Sequence, residues 1–150
     1  MKVLVPVDGS ESAARAAEHA AKMKEENPEI EVTILFVENI MARMWQLYSL
    51  VPGKEADIPP SDYHEYIKNE AQPALENAGK AFEDKGLDVE KKIIDTEKDI
   101  SEEIKDFVEE RGFDKVIMGK SGSNNIEAAI AGGVTPDVLS IVDAPVTVIE

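Results

Sequence analysis

The feature that most constrains this chain is an alternation of two periods. Short runs of β-branched and aliphatic residues are separated by longer stretches whose apolar residues recur every three or four places. Lys2 to Pro6 is the first run, and it breaks at Asp8-Gly9-Ser10 into a stretch with Ala13, Ala16, Ala17 and Ala20 at helical spacing. A stripe of alanine rather than leucine predicts a helix lying close against the layer it covers. Asn27-Pro28 ends that helix, because proline disfavours helical geometry in the residue before it, and Ile30 to Val37 is a second β-branched run.

From Asp62, the residues Tyr63, Ile67, Ala71, Leu75, Ala78 and Phe82 predict a long helix that ends near Gly86 and is kinked at Pro73. Val89 to Asp95 is a weaker strand whose Glu90, Lys91 and Lys92 suit a sheet edge. Ile100, Ile104, Phe107 and Val108 mark a third helix, which Gly112 terminates. Asp114 to Met118 is a fourth strand, and Val146 to Ile149, after Ala144-Pro145, is a fifth. Five strands alternating with helices predict an α/β fold, a three-layer sandwich around a five-stranded, mostly parallel sheet, because parallel neighbours need crossovers of about this length.

One segment breaks the alternation. Glu38 to Ser61 has no clean period and contains Pro52, Gly53, Pro59 and Pro60, so it reads as a long excursion with a helical turn around Met41 to Leu47. Trp45, with Met44, Leu47 and Tyr48 nearby, covers a ligand, packs on a partner or seals the domain's own core.

Composition narrows the function classes. A chain of 150 residues with 43% hydrophobic residues fills one core, so residues 1–150 are expected to form a single domain. No apolar run reaches the roughly 18 to 20 residues that a membrane helix requires. The sequence also passes from Met1-Lys2 straight into Val3-Leu4-Val5, so a cytoplasmic protein is expected. With no cysteine and only His19 and His64, thiolate chemistry is excluded and no metal site is expected. A net charge of -15, from 16 basic and 31 acidic residues, opposes nucleic acid and anionic membranes as partners.

The chemistry is expected at the strand ends. In open parallel sheets, ligands bind beyond the carboxyl ends of the strands where strand order reverses. Pro6-Val7-Asp8-Gly9-Ser10 puts a carboxylate on the first such turn, either as nucleotide contact or as turn residue and helix cap. Met118-Gly119-Lys120-Ser121-Gly122 ends the fourth strand in a turn whose glycines permit positive φ and let backbone N–H groups approach an anion. Gly132 and Gly133 precede Val134-Thr135-Pro136, a helix start at about Thr135, where free N–H groups and the helix dipole favour phosphate. An ordinary capped helix after a loop is the alternative.

Together these residues resemble the universal stress protein family. The phosphate signature of its nucleotide-binding members is glycine, two residues, glycine, nine residues, then glycine followed by serine or threonine. Gly119, Gly122 and Gly132 reproduce that spacing, with Lys120-Ser121 in the first gap and Ser123 to Ala131 in the second. Lys2 to Ser10 looks like the family's opening strand and turn, and Ala144 to Ile149 like its closing strand. The resemblance implies a Rossmann-like fold of the adenine nucleotide alpha hydrolase type and a homodimer joined through the C-terminal strand. It also implies ATP or AMP as ligand. Pro6, Val7, Asp8 and Val37 would flank adenine and ribose, and Met118, Gly119, Gly122, Ser123, Gly132, Gly133, Val134 and Thr135 would border ribose and phosphates.

The chain departs from the signature at Gly133, which keeps a backbone donor but lacks the usual hydroxyl. Thr135 and Ser123 are the candidate substitutes, and Lys120 either meets a phosphate or stays a solvated turn lysine. Three functions fit: a nucleotide-responsive stress-related module with little catalysis, a slow ATPase, and a nucleotide-free homodimer acting through protein contacts. No phosphoacceptor acidic pair, GxGxxG fingerprint or GxxxxGK[ST] loop is present.

Overall fold

In the computed structural model, which describes residues 1–39, 41–42, 65, 67–120 and 134–150, the β-branched runs become one five-stranded sheet. Its strands are β1 (Lys2–Pro6), β2 (Glu31–Glu38), β3 (Glu90–Asp95), β4 (Lys115–Gly119) and β5 (Val146–Ile149). They lie in the order β3-β2-β1-β4-β5, and all four neighbouring pairs are parallel. Helices α1 (Glu11–Glu26), α2 (Gln72–Glu83), α3 (Ile100–Arg111) and α4 (Val134–Ile141) lie between the strands in sequence. The sheet is thus fully parallel where the sequence required only a mostly parallel one, and β3 takes the edge position that its charges suit.

Alternation along each strand divides the core into two layers. Val3, Val5 and Val7 of the first strand and its turn pack with Ile34, Phe36 and Ile117 against Ala16, Ala17 and Ala20 of α1 and Leu75 and Phe82 of α2. On the opposite face Leu4, Leu35, Val37, Val116 and Met118 meet Ile104, Phe107 and Val108 of α3 and Val138 of α4. Full burial of each larger aliphatic or aromatic side chain contributes roughly 1.5–3 kcal/mol. The alanine stripe, as expected from its size, brings α1 close to the sheet.

The helix ends follow local chemistry. Ser10 caps α1 by accepting the Ala13 N–H at 3.2 Å, and the helix stops at Glu26, two residues before Pro28. Gly112 ends α3 at φ 69°, where its N–H donates to the Val108 carbonyl at 3.0 Å. In place of one long helix kinked at Pro73, a π-helical turn, Ile67–Ala71, directly precedes α2, in whose first turn Pro73 stands. A proline ring crowds the carbonyl four residues back and removes one donor, and a wider turn relieves both. Asp62 and Tyr63, the excursion's Met44, Trp45, Leu47 and Tyr48, and most of its expected helical turn lie outside the described residues. No described helix is long and apolar enough to cross a membrane.

Candidate functional site

Strand order reverses between β1 and β4. From β1 the chain builds outward through β2 to β3, then returns to place β4 on the other side of β1 and β5 beyond it. The carboxyl ends of β1 and β4 therefore border one crevice, the topological position where open α/β sheets bind ligands. Pro6 ends β1, and the Val7 N–H donates to the Leu35 carbonyl at 2.8 Å, continuing the pairing with β2. The Val7 side chain is buried in the α1–α2 layer.

Asp8 is exposed at the mouth of the crevice. Its Oδ1 accepts the Ser10 N–H at 2.9 Å, an Asx turn made possible by Gly9 at φ 88°. The turn role considered from sequence is therefore realised. One accepted hydrogen bond uses one of roughly four lone-pair positions on a carboxylate, so the group retains acceptor capacity toward a ligand.

Gly119 occupies a different setting from the one its sequence context suggests. It is the last residue of β4, paired in register with Ile149 of β5, and among the described glycines only Gly9, Gly86 and Gly112 have positive φ. The expectation of a positive-φ turn glycine at 119 is therefore corrected: the requirement is close approach. A Cβ here would lie 2.6 Å from the Ser12 carbonyl carbon and 2.7 Å from the Ala13 nitrogen, so only glycine lets the first turn of α1 press against the end of β4.

Thr135 completes this junction. It is buried in the first turn of α4, and its Oγ1 donates to the Gly119 carbonyl at 2.8 Å. As a substitute phosphate hydroxyl it therefore meets a competing role, because its proton is already committed to the strand. Lys120 follows, with its main-chain N–H donating to the Ile149 carbonyl at 2.7 Å and its Nζ 2.9 Å from Glu150 Oε1. That hydrogen bond, with the attraction between the two charges, raises the Lys120 pKa and holds the Glu150 carboxyl below its ordinary range.

Pro6, Val7, Asp8, Gly119 and Thr135 thus converge on the crevice. Val37 and Met118 end their strands beside it, but their side chains are buried in the α3–α4 layer at 8% and 4% exposure. Any ligand contact at these two positions falls to their main chain. Val134 is the first residue of α4, and Gly122, Ser123, Gly132 and Gly133 lie outside the described residues. Ser12 and Glu150 escaped the sequence reading. A serine amid an alanine stripe is the signal for the first, whereas nothing local marks the second. No cluster of three or more metal-ligating side chains occurs among the described residues.

The family model for the universal stress protein family matches residues 1–150. The solved structure of the protein MJ0577 is 28% identical with a TM-score of 0.66, covering 99% of this chain and 94% of its own. A universal stress protein from Archaeoglobus fulgidus in complex with dAMP is 22% identical, with a TM-score of 0.66 over 100% of this chain and 98% of that one. One from Arabidopsis thaliana with AMP bound is 19% identical, with a TM-score of 0.63 over 99% and 90%. No curated protein sequence matches the chain significantly. A family match over the full sequence, on a Rossmann-like fold shared with these structures, leaves one assignment: the chain belongs to the universal stress protein family.

Proposed function

We propose that this protein is an adenine-nucleotide-binding module of its family, acting in a stress-related regulatory or protective role rather than as a catalyst. The single observation that carries the reading is the β1–β4 adjacency, which sets the Asp8 turn and the Gly119 strand end on one crevice. In this reading Pro6, Val7, Asp8 and Val37 line the adenine and ribose side. Met118, Gly119, Gly122, Ser123, Gly132, Gly133, Val134 and Thr135 border ribose and phosphates, with ATP or AMP as the bound species. Solved structures of universal stress proteins of the same fold, one in complex with dAMP and one with AMP bound, support the ligand class.

The test is mass spectrometry of small molecules released from the denatured protein, followed by calorimetry with AMP and ATP. An adenine nucleotide in the released fraction and a saturable heat support the reading. An empty fraction and no heat transfer the function to the nucleotide-free alternative, in which the protein acts through contacts alone.

A cytoplasmic homodimer and a single domain over residues 1–150 belong to the same proposal. Of the two sheet edges, β3 carries Glu90, Lys91 and Lys92, whereas β5 is Val-Thr-Val-Ile with no charge. An uncharged edge strand is open to pairing with a second copy across a two-fold axis. The carbonyls of Pro145 and Ile149 accept from β4, so by alternation Val146 and Val148 direct their main-chain groups outward.

A further inference from the structure

We propose, resting on the nucleotide reading above, that Pro6 is a positioning residue: the donor it lacks stops β1 from pairing with β4 to their ends, and the sheet stays open where the ligand enters. The β1–β4 ladder sets Val3 opposite Lys115 and Leu4 opposite Val116, and ends after those two pairs. The same β1 keeps five pairs with β2, and β4 keeps four with β5, up to Gly119. Both strands therefore continue as strands beyond the point at which they part.

The geometry of the ladder names the cause. Main-chain groups point to alternate sides along a strand. The Met1 carbonyl accepts the Glu31 N–H at 2.9 Å and the Val7 N–H donates to the Leu35 carbonyl at 2.8 Å, so the odd-numbered residues of β1 and its flanks face β2. The Lys2 carbonyl accepts the Asp114 N–H at 2.8 Å, so the even-numbered residues face β4. With Leu4 opposite Val116, continuation of the parallel ladder requires a bond from the N–H of residue 6 to the Ile117 carbonyl. Residue 6 is proline and has no N–H. Proline within a sheet is ordinarily confined to edge strands, strand starts and bulges. Here it ends a central strand, its missing donor falls on the crevice side, and the register of Pro6 with Leu35 is intact.

A second group holds the strands apart. Pairing carried on to the end of β4 would give the Gly119 carbonyl to the Asp8 N–H. That carbonyl instead accepts from Thr135 Oγ1 at 2.8 Å. Paired strands stand ~4.8 Å apart, which leaves no space for a sugar or a phosphate between their backbones. The unpaired ends thus provide the room that a nucleotide needs between the Asp8 turn and Gly119.

Pro6→Ala restores the donor and tests this. Without ligand, the new amide at residue 6 is expected to be protected from hydrogen exchange and to show a scalar coupling across a hydrogen bond to the Ile117 carbonyl carbon. One backbone hydrogen bond shifts an equilibrium about fivefold, and apparent affinity falls with the open fraction, so AMP should bind about three- to fivefold more weakly by calorimetry. The α-hydroxy analogue of alanine at residue 6 has the same side chain with an ester oxygen in place of the N–H, and it is expected to restore the affinity of the unaltered protein. A freely exchanging amide at residue 6, or unchanged AMP affinity in Pro6→Ala, would overturn the proposal and leave nucleotide binding intact. Equal weakening by the analogue would also overturn it, because loss of the proline ring would then be the cause. No heat from the unaltered protein would overturn the nucleotide reading, and this role with it.

Discussion

A hydrogen atom in place of a side chain at residue 119 decides how closely α1 approaches β4. Adding a methyl group would force it against the backbone of Ser12 and Ala13 at 2.6 and 2.7 Å, where no rotamer change can relieve the clash. Gly119→Ala is expected to destabilise the fold by about 1–3 kcal/mol, the usual cost of overpacking, measured as a lower urea midpoint. An unchanged midpoint would mean that α1 shifts freely. Thr135→Val keeps the shape but leaves the Gly119 carbonyl without its donor, an expected loss of about 1–2 kcal/mol. Thr135→Ser should recover most of it, and equal stability of the Val and Ser variants would contradict the tether. These two roles were only half legible in the sequence. The spacing picked out Gly119 and Thr135, but the partner that makes each necessary comes from a distant segment, and a local pattern carries no record of it.

Elements were more legible than contacts. The bounds of β5 and the ends of α1 and α3 follow from Pro28, Gly112 and Pro145, residues whose backbone restrictions act locally. Boundaries without such markers moved: β4 extends to Gly119 because that residue still pairs with Ile149, and β3 begins at Glu90 instead of Val89. The edge strand is also held to α3 by a pair that sequence periodicity does not reveal. Arg111 Nη2 donates to both Glu90 oxygens, at 3.1 and 2.9 Å, and its guanidinium lies 5.0 Å from the centroid of the Phe107 ring. The hydrogen bond from Arg111 lowers the Glu90 pKa in the folded protein, against a smaller opposing effect of burial. A carboxylate with a lowered folded pKa stabilises the fold above its unfolded pKa and loses that contribution as pH falls through the folded value. Arg111→Met should therefore reduce stability at neutral pH by at most about 1 kcal/mol, since the pair is partly exposed. It should also flatten the loss of stability below the ordinary carboxylate range. A parallel acid limb in both proteins, followed by thermal unfolding, would show that the pair contributes nothing.

At the scale of the whole molecule, the sheet's two edges and its central crevice carry different expectations. Sedimentation at micromolar concentration is expected to show a dimer, and Val148→Pro, which removes an outward main-chain donor while sparing the pairing with β4, should yield a folded monomer. A wild-type monomer would remove the β5 interface. The crevice is the central claim, and its legibility in the sequence rested on strand ends whose adjacency only the topology supplies. The most direct test is a titration of isotope-labelled protein with AMP, followed by backbone amide NMR. The expected result is saturable shifts concentrated at Val7, Asp8, Gly119, Lys120 and Thr135, with β3 and the C-terminal end of α3 unaffected. Saturable shifts centred elsewhere, or none at millimolar AMP, would contradict nucleotide binding at the β1–β4 switch.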